Sequence, residues 1–235
     1  MTERGGATRS ADSLAIGPSS MRWTGSALEV AIEEVSLPIP RRLRGIVRLQ
    51  PNSIQSSSFH LDRAGRHRWQ PIAPCARIEV ALSSPALSWQ GHAYFDTNWG
   101  DRPLEADFAS WNWSRATLPD GDTVVLYDAN RLGETEPARR ALRYGRNGGV
   151  AAMALPPLAP MPPTRWRLRG EAGAEDGFAP RLQHSLEDGP FYARRLIRTR
   201  LAGVETDAMH ETLSLTRFSR LGVQAMLPFR MPRRF

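Results

Sequence analysis

The sequence predicts an all-β protein, a barrel or sandwich of short strands. Three observations lead there. Apolar and polar residues alternate with a period of two in several separated runs, Arg77–Leu82 and Thr123–Tyr127 most clearly. Turn residues punctuate those runs, as in Pro119-Asp-Gly-Asp122 and Gly145-Arg-Asn-Gly-Gly149. Sustained helical periodicity is scarce, and no internal repeat is obvious.

Residues 1–20 are rich in Gly, Ser, Thr and Arg and weakly patterned. Strand character begins at Met21 and is carried by Ala27–Leu37, with its β-branched residues and partial alternation. Pro38 and Pro40 break that run, and Arg44–Leu49 resumes it. After Arg77–Leu82 and Thr123–Tyr127, Ala141–Tyr144 runs into its glycine-rich segment as one arm of a hairpin. Ala154–Pro163 is proline-rich and reads as a semi-rigid connector. Thr164–Arg169 alternates and reads as a strand, as does His210–Leu215. Phe191–Leu201 fits an amphipathic helix or a strand, and its strand flanks favour the strand.

The 235 residues suffice for one large domain or two small ones with a sizeable core. The formal net charge is +7, and the 31 basic side chains are all arginine, since the sequence contains no lysine. They fall in ones and twos, as at Arg41-Arg42 and Arg139-Arg140, rather than as one basic stripe. That argues against a dedicated nucleic-acid surface and leaves contact with anionic lipid open. Cys75 is the only cysteine, so no internal disulfide is possible, which fits a reducing cytoplasmic compartment. No run approaches the roughly 20 apolar residues that span a bilayer. The start of the chain lacks the apolar core of a signal peptide.

The chemistry-bearing residues concentrate between His67 and Arg115. On a strand, Tyr94, Asp96 and Asn98 share a face, which puts a carboxyl beside a phenol and an amide. In an apolar cavity such a carboxyl stays neutral and serves as a general acid. Asp-Thr-Asn is equally turn chemistry. Trp111, Trp113 and Arg115 share a strand face, where indoles stabilise a nearby cation or simply fill a core. Glu105 is either a second acid or the partner of an arginine such as Arg115. His67 and Trp69 again stand at i and i+2, and the histidine is placed to set the protonation of a carboxyl or to hold water. His210-Glu211 is a further acid–imidazole pair, or else two residues of a strand facing opposite ways. Nucleophile-elbow, dinucleotide and phosphate-loop motifs are absent, and the five histidines show no compact metal-ligand spacing.

Several of these segments together resemble the carotenoid 1,2-hydratase (hydroxyneurosporene synthase) family. The pieces are Gly65–Trp69, Pro71–Arg77, the Tyr94/Asp96/Asn98 segment, Pro103–Glu105, Trp111–Ala116, Pro190–Arg194, Met209–Glu211 and Leu227–Arg233. The resemblance covers nearly the whole chain. It implies a lipocalin-like, two-part β-barrel fold, with 1–70 the C-terminal part of an incomplete first barrel and 71–235 a second barrel. The family usually has a longer N-terminal region, so a truncated and inactive form is one expectation. The resemblance implies cofactor-independent addition of water to the terminal C1=C2 bond of acyclic carotenoids such as neurosporene and lycopene. It implies activity at His67, Trp69, Tyr94 and Asp96; the strand reading adds Trp111, Trp113, Asn98 and Glu105 as candidates to hold the substrate or stabilise the cation. A substrate that dissolves in membranes implies a cytoplasmic protein peripherally bound to the inner or photosynthetic membrane. The apolar and cationic segment 225–235 is a candidate lipid contact or a final strand. A non-catalytic lipocalin-like binder of apolar isoprenoids is the alternative.

Overall fold

The computed structural model describes residues 6–36 and 39–227. The expected break at Pro38 and most of the C-terminal segment, from Pro228 on, lie outside the described residues. The protein is almost entirely β, as the alternation predicts.

The chain divides into two compact units that interleave along the sequence. One takes in the described parts of 1–54, 73–95 and 225–235, and the other 55–72 and 96–224. The division is interleaved because two long strands contribute residues to both.

The first unit starts as an antiparallel meander: β1 (Ala7–Arg9), β2 (Ser13–Ile16), β3 (Ser19–Trp23), β4 (Leu28–Ser36) and β5 (Arg41–Pro51). The weakly patterned N-terminal stretch is thus stranded. It pairs edge to edge through the backbone, as in Ala7↔Ile16, and needs no apolar face to do so. After the two-residue β6 (Phe59–His60) comes β7 (His67–Ser84), whose later part pairs with β5. Next is β8 (Ala86–Gly100), which pairs with β7. Leu49, Ala73, Ala76 and Ala93 form the apolar centre of this unit, with Leu28, Ile78 and Phe95 packed against them.

The second unit is built on a seven-stranded antiparallel sheet. Its strands are β9 (Phe108–Thr117), β10 (Thr123–Arg131), β11 (Ala138–Tyr144), β12 (Val150–Ala152), β15 (Arg181–Asp188), β16 (Tyr192–Leu201) and β17 (Val204–Ser214). Their order is β12-β11-β10-β9-β17-β16-β15. The hairpin at Gly145–Gly149 forms as expected, with the Gly145 amide on the Gly149 carbonyl and Gly148 at φ 90°. A two-stranded ribbon, β13 (Leu158–Pro160) with β14 (Glu171–Gly173), arises within and after the proline-rich segment.

One face of the seven-stranded sheet is a closed core. Its apolar half gathers Ala116, Val124, Leu126, Ile197, Leu201 and Ala208 against Met161 and Ala172 of the ribbon region. Two expectations fail. Thr164–Arg169 is a turn, not a strand: the Thr164 amide meets the Leu168 carbonyl, the Arg167 amide meets the Thr164 carbonyl, and Arg167 sits at φ 56°. Pro162 and Pro163 carry no amide hydrogens to continue a ladder into it. The chain end is not a strand as far as it is described. After β17 come α1 (Leu215–Phe218), capped by the Ser214 hydroxyl accepting from the Arg217 amide, and α2 (Leu221–Met226).

Candidate active site

The site-bearing residues of the second unit lie at the start of β7, at the end of β8 and on the other face of the seven-stranded sheet. Strand register fixes that face. Trp113 of β9 stands opposite Tyr127 of β10 on one side and Glu211 of β17 on the other. Glu211 in turn stands opposite Arg194 of β16, and Tyr127 opposite Arg140 of β11. Directly opposed residues of antiparallel strands project to the same side, so Arg140, Tyr127, Trp113, Glu211 and Arg194 form one transverse row. Trp111, Ala129, Leu213 and Tyr192 make up the next row by the same pairing.

Trp69 is fully buried in contact with this face. Its ring centroid lies 4.9 Å from that of Tyr127 and 5.5 Å from that of Phe59, its cross-strand partner. Trp69 Nε1 donates to Asp96 Oδ2 at 2.8 Å. Period-two geometry places His67 and Trp69 on one side of β7, as expected. The indole, however, meets Asp96 through its N–H, while its ring lies against Tyr127 and Phe59. Asp96 itself is half-buried.

Tyr127 is 4% exposed, and Trp111 lies 6.3 Å away, ring to ring. Burial, reinforced by the negative charges of Asp96 and Glu211, pushes the Tyr127 phenol far above its ordinary pKa. It is therefore a neutral hydroxyl. Glu211 is held by Arg194, whose Nε and Nη2 reach its Oε1 at 2.9 and 2.8 Å. Arg194 also lies over the Tyr192 ring at 5.8 Å.

His67 is paired with a carboxylate, that of Asp107. Its Nε2 is 2.7 Å from Asp107 Oδ2, and its ring meets Phe108 edge-on at 5.0 Å. Asp107 also faces Arg66 Nη2 at 3.2 Å and Arg102 Nε at 3.5 Å. The backbone under His67 is pinned by Asp62, which accepts from the His67 amide at 2.6 Å and the Arg66 amide at 3.1 Å. Burial alone would raise the Asp62 pKa, but those amides outweigh it and hold the carboxyl below its ordinary value. Gly100 makes room for the ring, since a Cβ there would sit 2.6 Å from His67 Nδ1.

The other expected residues disperse. Trp111 and Trp113 do share a face of β9, both half-buried. Asn98 is exposed near the end of β8. Tyr94 precedes Asp96 by two residues on β8, belongs to the first unit and is half-buried. Glu105 lies in a 3-10 turn, Leu104–Ala106, that follows Pro103. The acid this turn delivers is Asp107 at its end, while Arg115 Nη2 donates to Thr117 Oγ1 at 3.1 Å. His210 and Glu211, adjacent in sequence, occupy opposite faces. His210 is in the closed core, with Nδ1 2.9 Å from Ser114 Oγ and Nε2 3.2 Å from Thr212 Oγ1. Tyr127 and Asp107 were not singled out from the sequence. Tyr127 had a usable signal, alternation with Val125 on a predicted strand. Asp107, in a turn, had none.

Among the described residues no group of three His, Cys, Asp or Glu side chains converges as a metal site. No described helix is long and apolar enough to cross a membrane. The arrangement in the second unit is a half-buried carboxyl fixed by an indole N–H, beside a neutral phenol, on an aromatic sheet face with a second carboxylate. Such a set can donate a proton, stabilise a cation and orient a small nucleophile.

Comparison with known proteins places these residues in context. The family model of the carotenoid hydratase CrtC matches residues 1–235. The acyclic carotenoid 1,2-hydratase of Rubrivivax gelatinosus is 46% identical over 236 residues, covering 100% of this chain and 58% of that protein. The enzyme of the same name from Thiocapsa roseopersicina is 48% identical over 236 residues, covering 99% and 58%. That from Rhodobacter capsulatus is 41% identical and is covered to 84% of its length. The chain thus spans 58% of the length of the first two relatives. Among solved structures, kievitone hydratase from Nectria haematococca superposes with a TM-score of 0.58 at 11% identity, covering 86% of this chain and 70% of that one. A protein assigned as AttH from Nitrosomonas europaea gives 0.56 at 12% identity, covering 90% and 72%. These two likenesses concern the lipocalin-like β fold alone. The whole-length family match and the identities to the curated relatives show that the chain belongs to the carotenoid hydratase CrtC family.

Proposed function

We propose that this chain adds water to the terminal C1=C2 bond of acyclic carotenoids of the neurosporene and lycopene type. The observation that carries the reading is the Asp96 carboxyl, held by the Trp69 indole N–H beside the buried Tyr127. The relatives named acyclic carotenoid 1,2-hydratase, at 46% and 48% identity, supply the substrate class.

The Trp69 N–H holds Oδ2 and so orients the carboxyl that gives the proton. An apolar polyene end excludes water, and a dry environment favours the neutral carboxyl. The proton goes to C2, the π electrons form the new C–H bond, and a tertiary cation remains at C1. Trp111 and Trp113 offer indole faces to that cation, worth about 2 kcal/mol each when desolvated. Two such contacts give on the order of a thousandfold in rate, so the acid must supply much of the remainder. Water adds at C1 and loses a proton, giving the 1-hydroxy carotenoid. No redox change occurs, and the residues named suffice without a cofactor. Tyr94 and Asn98 are assigned to substrate and water positioning, and Glu105 to the lining. His67, tied to Asp107, orders the segment that carries Trp69. A substrate dissolved in lipid places the work at a membrane surface, which flotation with anionic and zwitterionic vesicles checks.

The test is incubation of the chain with lycopene or neurosporene, without oxygen gas, in oxygen-18 water. A product carrying one solvent oxygen at C1 is the expected result. Carotenoid that is bound but recovered unchanged identifies a binder instead, and isomerised product without label identifies a different reaction.

A further inference from the structure

Hydration needs a group to take the proton that water gives up, and nothing so far assigns one. We infer that Glu211 is this base, a second catalytic carboxylate that orients and deprotonates the attacking water from the far side of Trp113; the assignment rests on the hydration reading above.

The register supports it first. Glu211 and Tyr127 flank Trp113 in a single row across three adjacent strands. Neighbouring strands are about 4.8 Å apart. Trp69, whose N–H holds the acid, lies against Tyr127 at the other end of the row. Acid and base therefore stand on either side of an indole suited to the cation between them.

The hold on Glu211 supports it next. Both contacts of the Arg194 fork fall on Oε1, so the guanidinium does not close on Oε2. The carboxylate is paired and oriented while its second oxygen is left outside the fork. The side chain is 21% exposed, enough to meet water without being bathed in it.

The proton balance closes. Asp96 gives a proton to C2 and becomes a carboxylate. Water oxygen bonds to C1, and Glu211 takes the proton released. Once the product leaves, Glu211 gives its proton to solvent and Asp96 takes one up from solvent. Both acids return to their starting states, and no other reactant is consumed.

The experiment is Glu211→Gln followed in two labels, oxygen-18 water for hydration and deuterium oxide for protonation at C2. Loss of a positioned base lowers hydration by about 10²–10⁴-fold. Deuterium still enters C2 of recovered carotenoid at an undiminished rate, because Asp96 still protonates and the cation returns by losing a proton. That exchange also shows a folded, loaded site. Glu211→Asp keeps the charge and hydrates between the two extremes with exchange intact, and it carries the test if the glutamine variant misfolds. Wild-type hydration in Glu211→Gln overturns the assignment alone. Equal loss of hydration and exchange in both variants also overturns it, since that is the mark of a purely structural residue. A wild-type chain that neither hydrates nor exchanges contradicts the hydration reading and this assignment together.

Discussion

His210 and Glu211 are neighbours in the chain, yet they lie on opposite faces of the seven-stranded sheet and in opposite chemical situations. On the core face His210 is enclosed by Ser114 and Thr212, and Thr212 in turn donates to Asn112 Oδ1 at 3.0 Å. The fully buried Arg195 lies in the same face and gives Nη1 to the Pro162 carbonyl at 2.8 Å. Burial, with the Arg195 charge behind it, drives the imidazole pKa down to about 3. The other face sets its acids in aromatic surroundings, Asp96 on the Trp69 N–H and Glu211 in the Arg194 fork. Polar residues enclosed and bonded to one another help specify a core. Acids set half-buried among aromatic rings are equipped to act on something else.

This contrast yields an ordered set of expectations. Trp69→Phe keeps the aromatic contact with Tyr127 but removes the hydrogen bond to Asp96. The carboxyl becomes charged as it gives up its proton, and a hydrogen bond to a charged group is worth about 1.5–3 kcal/mol, so turnover per folded molecule falls about 10–100-fold. Trp113→Leu removes one indole face, worth about 2 kcal/mol, and slows hydration about tenfold to thirtyfold, measured as kcat on lycopene. If either change mainly unfolds the protein, the face is a core after all.

Changes on the opposite face should reverse the pattern. The folded-state pKa of His210 lies below its ordinary 6.5, so between about pH 6.5 and 3 the unfolded chain binds a proton that the folded one refuses. Stability therefore falls with pH through that window, by about 1.4 kcal/mol per unit. It gains nothing from this residue above it. His210→Asn removes that slope from urea titrations run across the window. Ser114→Ala leaves Nδ1 of His210 short of a partner and costs about 1–3 kcal/mol of stability, with turnover per folded molecule unchanged.

The strands were legible where apolar and polar residues alternate, as along Arg77–Leu82 within β7, whereas Phe191–Leu201 was settled by its flanks, since the buried set of β16 includes Arg195 and Thr199. Alternation misled at Thr164–Arg169, because arginines interleaved with Trp166 and Leu168 imitate a strand in a segment that two prolines deliver into a turn. Asp96 and Trp69 stood out because strand geometry alone put each beside useful neighbours. Their mutual hydrogen bond did not, since it joins positions 27 residues apart. The partner of His67 was equally hidden: Asp107 depends on a 3-10 turn, and turns leave no periodic trace. Glu211 was visible only as half of a pair with His210, and the pleat separates that pair.

The most direct test of the account is Asp96→Asn, compared with the wild-type chain for solvent oxygen-18 at C1 and deuterium at C2. The amide keeps the shape and can still accept from Trp69 but has no proton to give. The account predicts loss of both labels by about 10⁴-fold, with an unchanged melting curve and retained carotenoid binding. Labelled 1-hydroxy product formed by this variant at near the wild-type rate would contradict it.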